Sequence, residues 1–128
     1  MKQLLTFALL IFVSVGWSQA DVSSKINQAF SEGKTANLKA YMMDQVDLSI
    51  EAKEGVYAAA EVSTKLDAFF AKHPATAFTV KHKGTSKLDD HYRIGDLTTK
   101  SGNYRVTYFM KSTPKGMKIK QIRIESLD

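Results

Sequence analysis

The strongest constraint on the fold is the alternation of apolar and polar residues in the second half of the chain. A period of two runs through residues 78–81, 92–94 and 104–111, and again after residue 116. This period is typical of strands with one buried face. Short turns rich in glycine, proline and asparagine separate these runs. Successive hairpins of this kind predict four antiparallel strands.

The apolar residues change phase twice within these predicted strands, once within residues 92–97 and once within residues 117–124. One extra residue in a strand produces such a slip, and it also bends the strand. We therefore expect β-bulges near Gly95 and near Lys120–Gln121. Two bulges would curve the sheet strongly and give it a concave face that helices must cover.

The first half of the chain predicts helices. Asp21 is expected to cap a first helix that ends at Gly33, and Thr35 to cap a second, shorter one. Residues 58–72 carry the longest apolar stripe at helical spacing and predict one long helix.

A single predicted strand, residues 46–50, precedes the long helix, and residues 52–55 are expected to form a turn. Helices segregated from consecutive strands are typical of an α+β domain. The predicted fold is a curved antiparallel sheet wrapped around N-terminal helices and one long helix.

The first 20 residues predict a cleavable signal peptide. Lys2 provides a positive start, residues 4–15 form an almost unbroken apolar run, and Ser18-Gln19-Ala20 provides small residues for cleavage. The alternatives are an uncleaved anchor and a buried helix, but the run is shorter than the roughly 20 residues that span a bilayer. Export to the periplasm or the cell exterior, with one domain at 21–128, is the prediction.

Composition and charge limit the partners. The absence of cysteine excludes disulfides and thiolate metal sites, and no apolar run that could span a membrane follows the leader. Net charge is −2 over residues 21–72 and +6 over residues 73–128. The basic half is compatible with anionic lipid or glycan surfaces, or with lysines that protect strand edges. We expect no nucleic-acid partner, because no binding motif is present and the leader predicts export.

Three segments carry a resemblance to a known family: Lys53–Tyr57, Asp67–Phe70 and Gln121–Glu125. With the order of elements, they resemble the nuclear transport factor 2-like superfamily, whose fold is a cystatin-like cone. More closely, residues 21–128 resemble the small secreted bacterial family called domain of unknown function 4783. The resemblance implies the cone fold and export. It implies no activity, because this fold serves many unrelated functions.

A cone fold predicts a pocket between the concave sheet face and the helices. The inward phase of the predicted strands includes Tyr92, Ile94 and Ile122 among its members. Because tyrosine hydroxyls can bond a ligand or simply end at a wet edge of the core, both roles stay open. The candidate pocket residues are Tyr92, Tyr104, Tyr108, Phe69 and Met110.

Asp96 is the one weak candidate for a catalytic base. It follows the bulge expected at Gly95, where a side chain can be re-aimed toward the pocket. An isomerase or dehydratase would need such a carboxylate beside a tyrosine hydroxyl. A solvated bulge residue is the commoner outcome for an aspartate in this position.

No metal or other cofactor is predicted. His82 and His91 flank one loop and would need paired strands to meet, and no third or fourth ligand is evident. The favoured function is a non-catalytic binding or association module of the bacterial cell envelope. Its ligand would be a small apolar molecule or a protein, and a homodimer through the sheet face around Phe109 is one form of it. The alternatives are the small-molecule enzyme and the basic surface adaptor.

Overall fold

A computed structural model describes residues 19–127, with side chains from Val22 to Leu127. The predicted leader lies outside these residues, apart from Gln19 and Ala20, so its cleavage stays a prediction. The helices and strands in chain order are α1 (Gln19–Glu32), β1 (Met42–Ile50), β2 (Lys53–Ala58), α2 (Ala59–Lys72), β3 (Ala75–Thr85), β4 (His91–Thr99), β5 (Gly102–Thr113) and β6 (Gly116–Ser126).

The described strands form one six-stranded sheet in the order β2-β1-β6-β5-β4-β3. All neighbouring strands are antiparallel except β1 and β6, which are parallel. Both helices pack on the same side of the sheet, α1 mainly against β3 and α2 against β1. The α+β class and the helix-filled curved sheet are therefore confirmed.

The core lies between the inner face of the sheet and the two helices. Phe69 and Phe70 of α2 and Val106 and Ile122 of the sheet all lie in it, each at most 6% exposed. Burial of this apolar surface is the main force that holds the layers together. The central packing expected from the sequence is therefore present.

The first helix ends as predicted but begins earlier. Gly33 has a φ of +67°, and the last turn closes through Gly33 N–H to Phe30 O and Lys34 N–H to Ala29 O, at 3.2 and 2.9 Å. These two bonds form a Schellman motif, which favours glycine at this position. Asp21 is not the cap that we expected, because the helix already includes Gln19.

The second predicted helix is wrong. Residues 35–41 form two short 3-10 turns, and Met42 already begins β1. The Thr35 hydroxyl donates to the carboxylate of Asp67 and to the carbonyl of Ser63, the latter at 3.4 Å. Because its side chain is turned toward α2, Thr35 does not cap a helix of its own.

The turn predicted at residues 52–55 is also wrong. The reversal is a two-residue turn at Glu51 and Ala52, with φ of +49° and +74°, and Lys53–Ala58 pairs with β1 as a strand. This is the backbone of a type I′ turn, which usually contains asparagine and glycine. Glu51 and Ala52 stand at these two positions instead, so the hairpin has no recognisable turn signal in the sequence.

One of the two predicted bulges is in the expected place. Lys120 of β6 is the extra residue in the pairing with β5, as predicted. No bulge lies at Gly95: in the pairing of β3 with β4 the extra residues are Thr76 and Lys81 of β3, so β4 alternates without a slip. The strand β4 therefore turns Leu97 inward and Tyr92 and Ile94 to the outer face, opposite to our prediction for these two.

Candidate functional site

Within residues 22–127, buried side chains occupy the centre of the cone, where the sequence predicted a pocket. Tyr108 and Met110, two of the five candidate pocket residues, are fully buried. The Tyr108 hydroxyl donates to Asn27 Oδ1 at 2.7 Å, and burial raises the pKa of Tyr108 well above its usual range. Tyr108 therefore links the sheet to α1 through a buried hydrogen bond.

Tyr104 and Phe69 pack together at the end of the cone. Their rings meet edge to face with centroids 5.0 Å apart, and the Tyr104 hydroxyl lies 3.3 Å from His73 Nδ1. Of the five candidates, Phe69 lines the open pocket described below, and Tyr104 packs directly against it.

Tyr92 lies on the outer face, where its ring is 5.7 Å from that of Phe109. Asp96 is on the same face, in register with Thr79 on one side and Arg105 on the other. The enzyme alternative requires Asp96 inside the cone beside a tyrosine hydroxyl. The fold instead places Asp96 on the outer face of the sheet.

The two histidines that flank the β3–β4 loop stay apart. In the register of β3 and β4, His82 pairs with Ile94 and His91 pairs with Thr85. Three positions along a strand separate them by about 10 Å. Within residues 22–127 no group of three or more histidine, aspartate or glutamate side chains is placed to hold a metal ion.

An open pocket of about 320 Å³ lies between the β1–β2 hairpin and the C-terminal half of α2. We call it the hairpin pocket. Its volume is at the lower end of the range of about 300–1,000 Å³ that small-molecule sites occupy. Its floor and walls are apolar or aromatic: Leu48, Ile50, Tyr57, Ala68 and Phe69.

Tyr57 owes its place in this wall to Gly55. A Cβ atom on Gly55 would lie 2.5 Å from the Tyr57 hydroxyl, so the ring can lie along β2 only because residue 55 has no side chain. Two of the three segments that carry the family resemblance, Lys53–Tyr57 and Asp67–Phe70, meet at this pocket.

The rim of the hairpin pocket is mainly basic. Lys53 follows the hairpin turn, and Lys65 and Lys72 extend from α2, with Glu51 as the one carboxylate. The ammonium group of Lys65 lies 4.6 Å from the centre of the Tyr57 ring, a cation–π contact. An apolar floor below a cationic rim is suited to a ligand with an apolar body.

His73 closes one end of the pocket. Its Nδ1 lies 2.5 Å from the hydroxyl of Ser101 in the β4–β5 turn, and Lys100 N–H donates to Pro74 O at 3.0 Å. A histidine beside a serine hydroxyl resembles an activated nucleophile. Ser101, however, is exposed on its turn and is not among the residues that line the pocket, so the pair ties α2 to the sheet.

Two further open grooves on residues 22–127 can be compared with the hairpin pocket. One, of about 520 Å³, lies on the outer face and includes Ser49 and Arg123. The other, of about 390 Å³, lies near Lys39 and Lys118. Both are larger than the hairpin pocket, but no aromatic side chain lines either, and so the hairpin pocket is the better candidate.

His73 follows α2, and no signal in the sequence placed it at a pocket. Lys53 and Tyr57 were missed because β2 was not recognised. The signal that could have found them is the alternation of Lys53, Gly55 and Tyr57 with Glu54 and Val56. It places the first three on one face of a strand. Without a recognisable turn before it, that alternation was too short to identify a strand.

Comparison with known proteins identifies the family. The family model described as Domain of unknown function (DUF4783) matches residues 23–125. The chain belongs to this family. No match is found among curated proteins.

Solved structures of other DUF4783 proteins have the same fold. One from Bacteroides uniformis is 33% identical, with a TM-score of 0.77 over 82% of this chain and 96% of that one. One from Bacteroides fragilis is 30% identical, with a TM-score of 0.75 over 80% of this chain and 95% of that one.

The similarity extends to the wider fold. An NTF2-like protein of unknown function from Shewanella baltica is 11% identical, with a TM-score of 0.64 over 85% of this chain and 90% of that one. At that identity the likeness concerns the fold alone. None of the helices in residues 19–127 is both long enough and apolar enough to cross a membrane.

Proposed function

We propose that this DUF4783 protein is a non-catalytic binding module of the bacterial cell envelope that takes a small molecule into the hairpin pocket. The supporting observation is the contrast between two regions. The cone interior is closed by fully buried side chains such as Tyr108, Met110 and Ile122. The hairpin pocket is open, and buried core residues, Leu48 and Phe69, form its floor.

An apolar ligand in this pocket would gain free energy by covering its accessible apolar lining, Ile50, Tyr57 and Ala68. The predicted leader supports the cell-envelope part of the proposal, because a chain with such a leader is exported. A purely structural pocket would instead remain filled with water and discriminate poorly between solutes.

Filling the pocket tests the proposal. Ala68→Trp places an indole in the hairpin pocket, and Ala60→Trp places the same group on an exposed position of α2 outside it. Octanoate and n-octanol serve as probes in calorimetric titrations of the folded protein. We expect binding of at least one probe to wild type and to Ala60→Trp, and its loss in Ala68→Trp. Equal binding by both variants would refute the assignment, as would no binding of either probe to wild type.

Self-association through the outer face of the sheet is a second candidate. Tyr92 and Phe109 form a half-exposed aromatic pair on that face, and aromatic residues are enriched in protein interfaces. Phe109→Ser should lower the mass measured by light scattering if the protein is a dimer through this face. A mass unchanged by the substitution rejects this form of association.

A further inference from the structure

We infer that the ligand of the hairpin pocket is a short amphiphile with one anionic head group, carboxylate or phosphate, held by Lys53, Lys65 and Lys72. This inference rests on the proposed function, because it specifies the chemistry of the same pocket. The three lysines come from two elements, β2 and α2, that form opposite sides of the pocket.

The fold directs these three ammonium groups toward the pocket. Lys53 pairs with Ile50 across the hairpin, so its side chain is on the inner face with Ile50. Lys65 and Lys72 are seven residues apart, two turns of α2, and therefore share one face of that helix. Lys65 is held over Tyr57 by its cation–π contact.

The three ammonium groups are not neutralised by carboxylates within the described chain. None of the three forms an ion pair within 4.0 Å with a carboxylate of residues 22–127. Glu51 is the one acidic residue on the rim, which leaves a formal surplus of two positive charges around the pocket. An anion placed among these lysines would gain charge-assisted hydrogen bonds that the protein itself does not supply.

The apolar floor determines the other end of the ligand. A small inorganic anion would use the lysines and leave the accessible apolar lining, Ile50, Tyr57 and Ala68, in contact with water. An apolar molecule without charge would cover the floor and leave the ammonium groups unpaired. A molecule with both parts satisfies both regions of the pocket, and the volume of about 320 Å³ favours a short apolar body.

The test compares head groups on one apolar chain. Octanoate, octyl phosphate, n-octanol and n-octylammonium are titrated into the full domain by calorimetry. We expect both anionic probes, or one of them, to bind about tenfold or more tightly than n-octanol, because a charge-assisted hydrogen bond contributes more than a neutral one. The cationic probe should bind most weakly. The relative affinities of octanoate and octyl phosphate show whether the pocket prefers a carboxylate or a phosphate head group.

Matched lysine variants separate a local site from general charge. Lys53→Gln/Lys65→Gln/Lys72→Gln should weaken anion binding about tenfold and leave n-octanol binding unchanged. Lys81→Gln/Lys83→Gln/Lys111→Gln has the same net charge but changes exposed residues outside the pocket, and should bind like wild type. Circular dichroism confirms that each variant is folded.

The outcomes are distinguishable. If n-octanol binds as tightly as octanoate and the pocket variant has no effect, the inference is overturned while the proposed function stands. If both lysine variants weaken the anions equally, the attraction comes from net charge and the inference is likewise overturned. If no probe binds, the proposed function fails together with the inference.

Discussion

Tyr57 and Gly55 show how a single missing side chain shapes the candidate site. Gly55→Ala should push the Tyr57 ring out of the pocket wall, because the new Cβ would lie 2.5 Å from the hydroxyl. We expect octanoate to bind several-fold more weakly, with unfolding free energy changed by less than about 0.5 kcal/mol. Gly84→Ala is a matched control, since its Cβ would meet the Tyr92 hydroxyl at 2.6 Å on the outer face. Equal affinities in the two variants would contradict the role of Tyr57.

The hydrogen bond from Tyr108 to Asn27 joins the sheet to α1 in the core. Tyr108→Phe removes the donor and should lower the unfolding free energy by about 1 kcal/mol, the usual net contribution of such a bond. Urea unfolding measures the change, with Tyr92→Phe on the outer face as a control expected to change it by less than about 0.5 kcal/mol. A Tyr108 variant as stable as wild type would show that the bond contributes nothing.

The same residue predicts a dependence on alkaline pH. Burial raises the pKa of Tyr108 above that of an unfolded tyrosine. As pH rises above about 10, the unfolded chain loses this proton while the folded protein keeps it, so stability falls. Tyr108→Phe should remove this part of the alkaline loss. If the unfolding free energies of wild type and variant fall in parallel above pH 10, the burial of an un-ionised hydroxyl is contradicted.

At the scale of elements, the β1–β2 hairpin is the least expected part of the fold. Ala52 has a φ of +74°, a conformation that costs an L-residue roughly 1–2 kcal/mol and glycine very little. Ala52→Gly should therefore stabilise the protein by about 0.5–1 kcal/mol. Ala60→Gly, on an exposed position of α2, should destabilise it by about the same amount. Thermal unfolding of both variants checks the opposite signs, and destabilisation by Ala52→Gly would refute the turn geometry.

The elements that the sequence predicted well are those with a strong local signal. Gly33 ends α1, the apolar stripe of α2 is buried, and the slip at Lys120 is a real bulge. The first bulge was misplaced because Gly95 has a different role, which is to accommodate the Phe78 ring. A Cβ at residue 95 would lie 2.6 Å from that ring. Close packing between strands does not change the local alternation of apolar and polar residues. Tyr92 was therefore assigned to the inner face, and the direction of Asp96 was left open.

The candidate site was predicted less well than the fold. The sequence indicated a pocket under the curved sheet, but Tyr108 and Phe30 fill that space with rings 6.1 Å apart. How completely side chains fill a concave face depends on contacts distant in sequence, such as that between Tyr108 and Asn27. Phe69 was found because its helical stripe was clear, whereas Lys53 and Tyr57 depended on a hairpin without turn residues.

For the whole molecule, we expect export from the cytosol and removal of the leader. Full-length protein expressed in a Gram-negative host should reach the periplasm and begin at Asp21, because Ser18 and Ala20 provide the small residues for cleavage. Intact mass spectrometry of the periplasmic fraction measures this. Ala20→Arg should block cleavage without changing residues 21–128. Full-length protein retained in the cytosol would contradict the leader.

The position of a bound probe distinguishes the hairpin pocket from the cone interior and from the outer face of the sheet. Amide NMR of the folded domain titrated with octanoate maps the site residue by residue. We predict shifts concentrated at Leu48, Tyr57 and Phe69, with little change at Met110 in the filled interior or at Phe109 on the outer face. Shifts centred on Met110 would place the ligand inside the cone, and shifts centred on Phe109 would place it on the sheet face. Either result would contradict binding in the hairpin pocket.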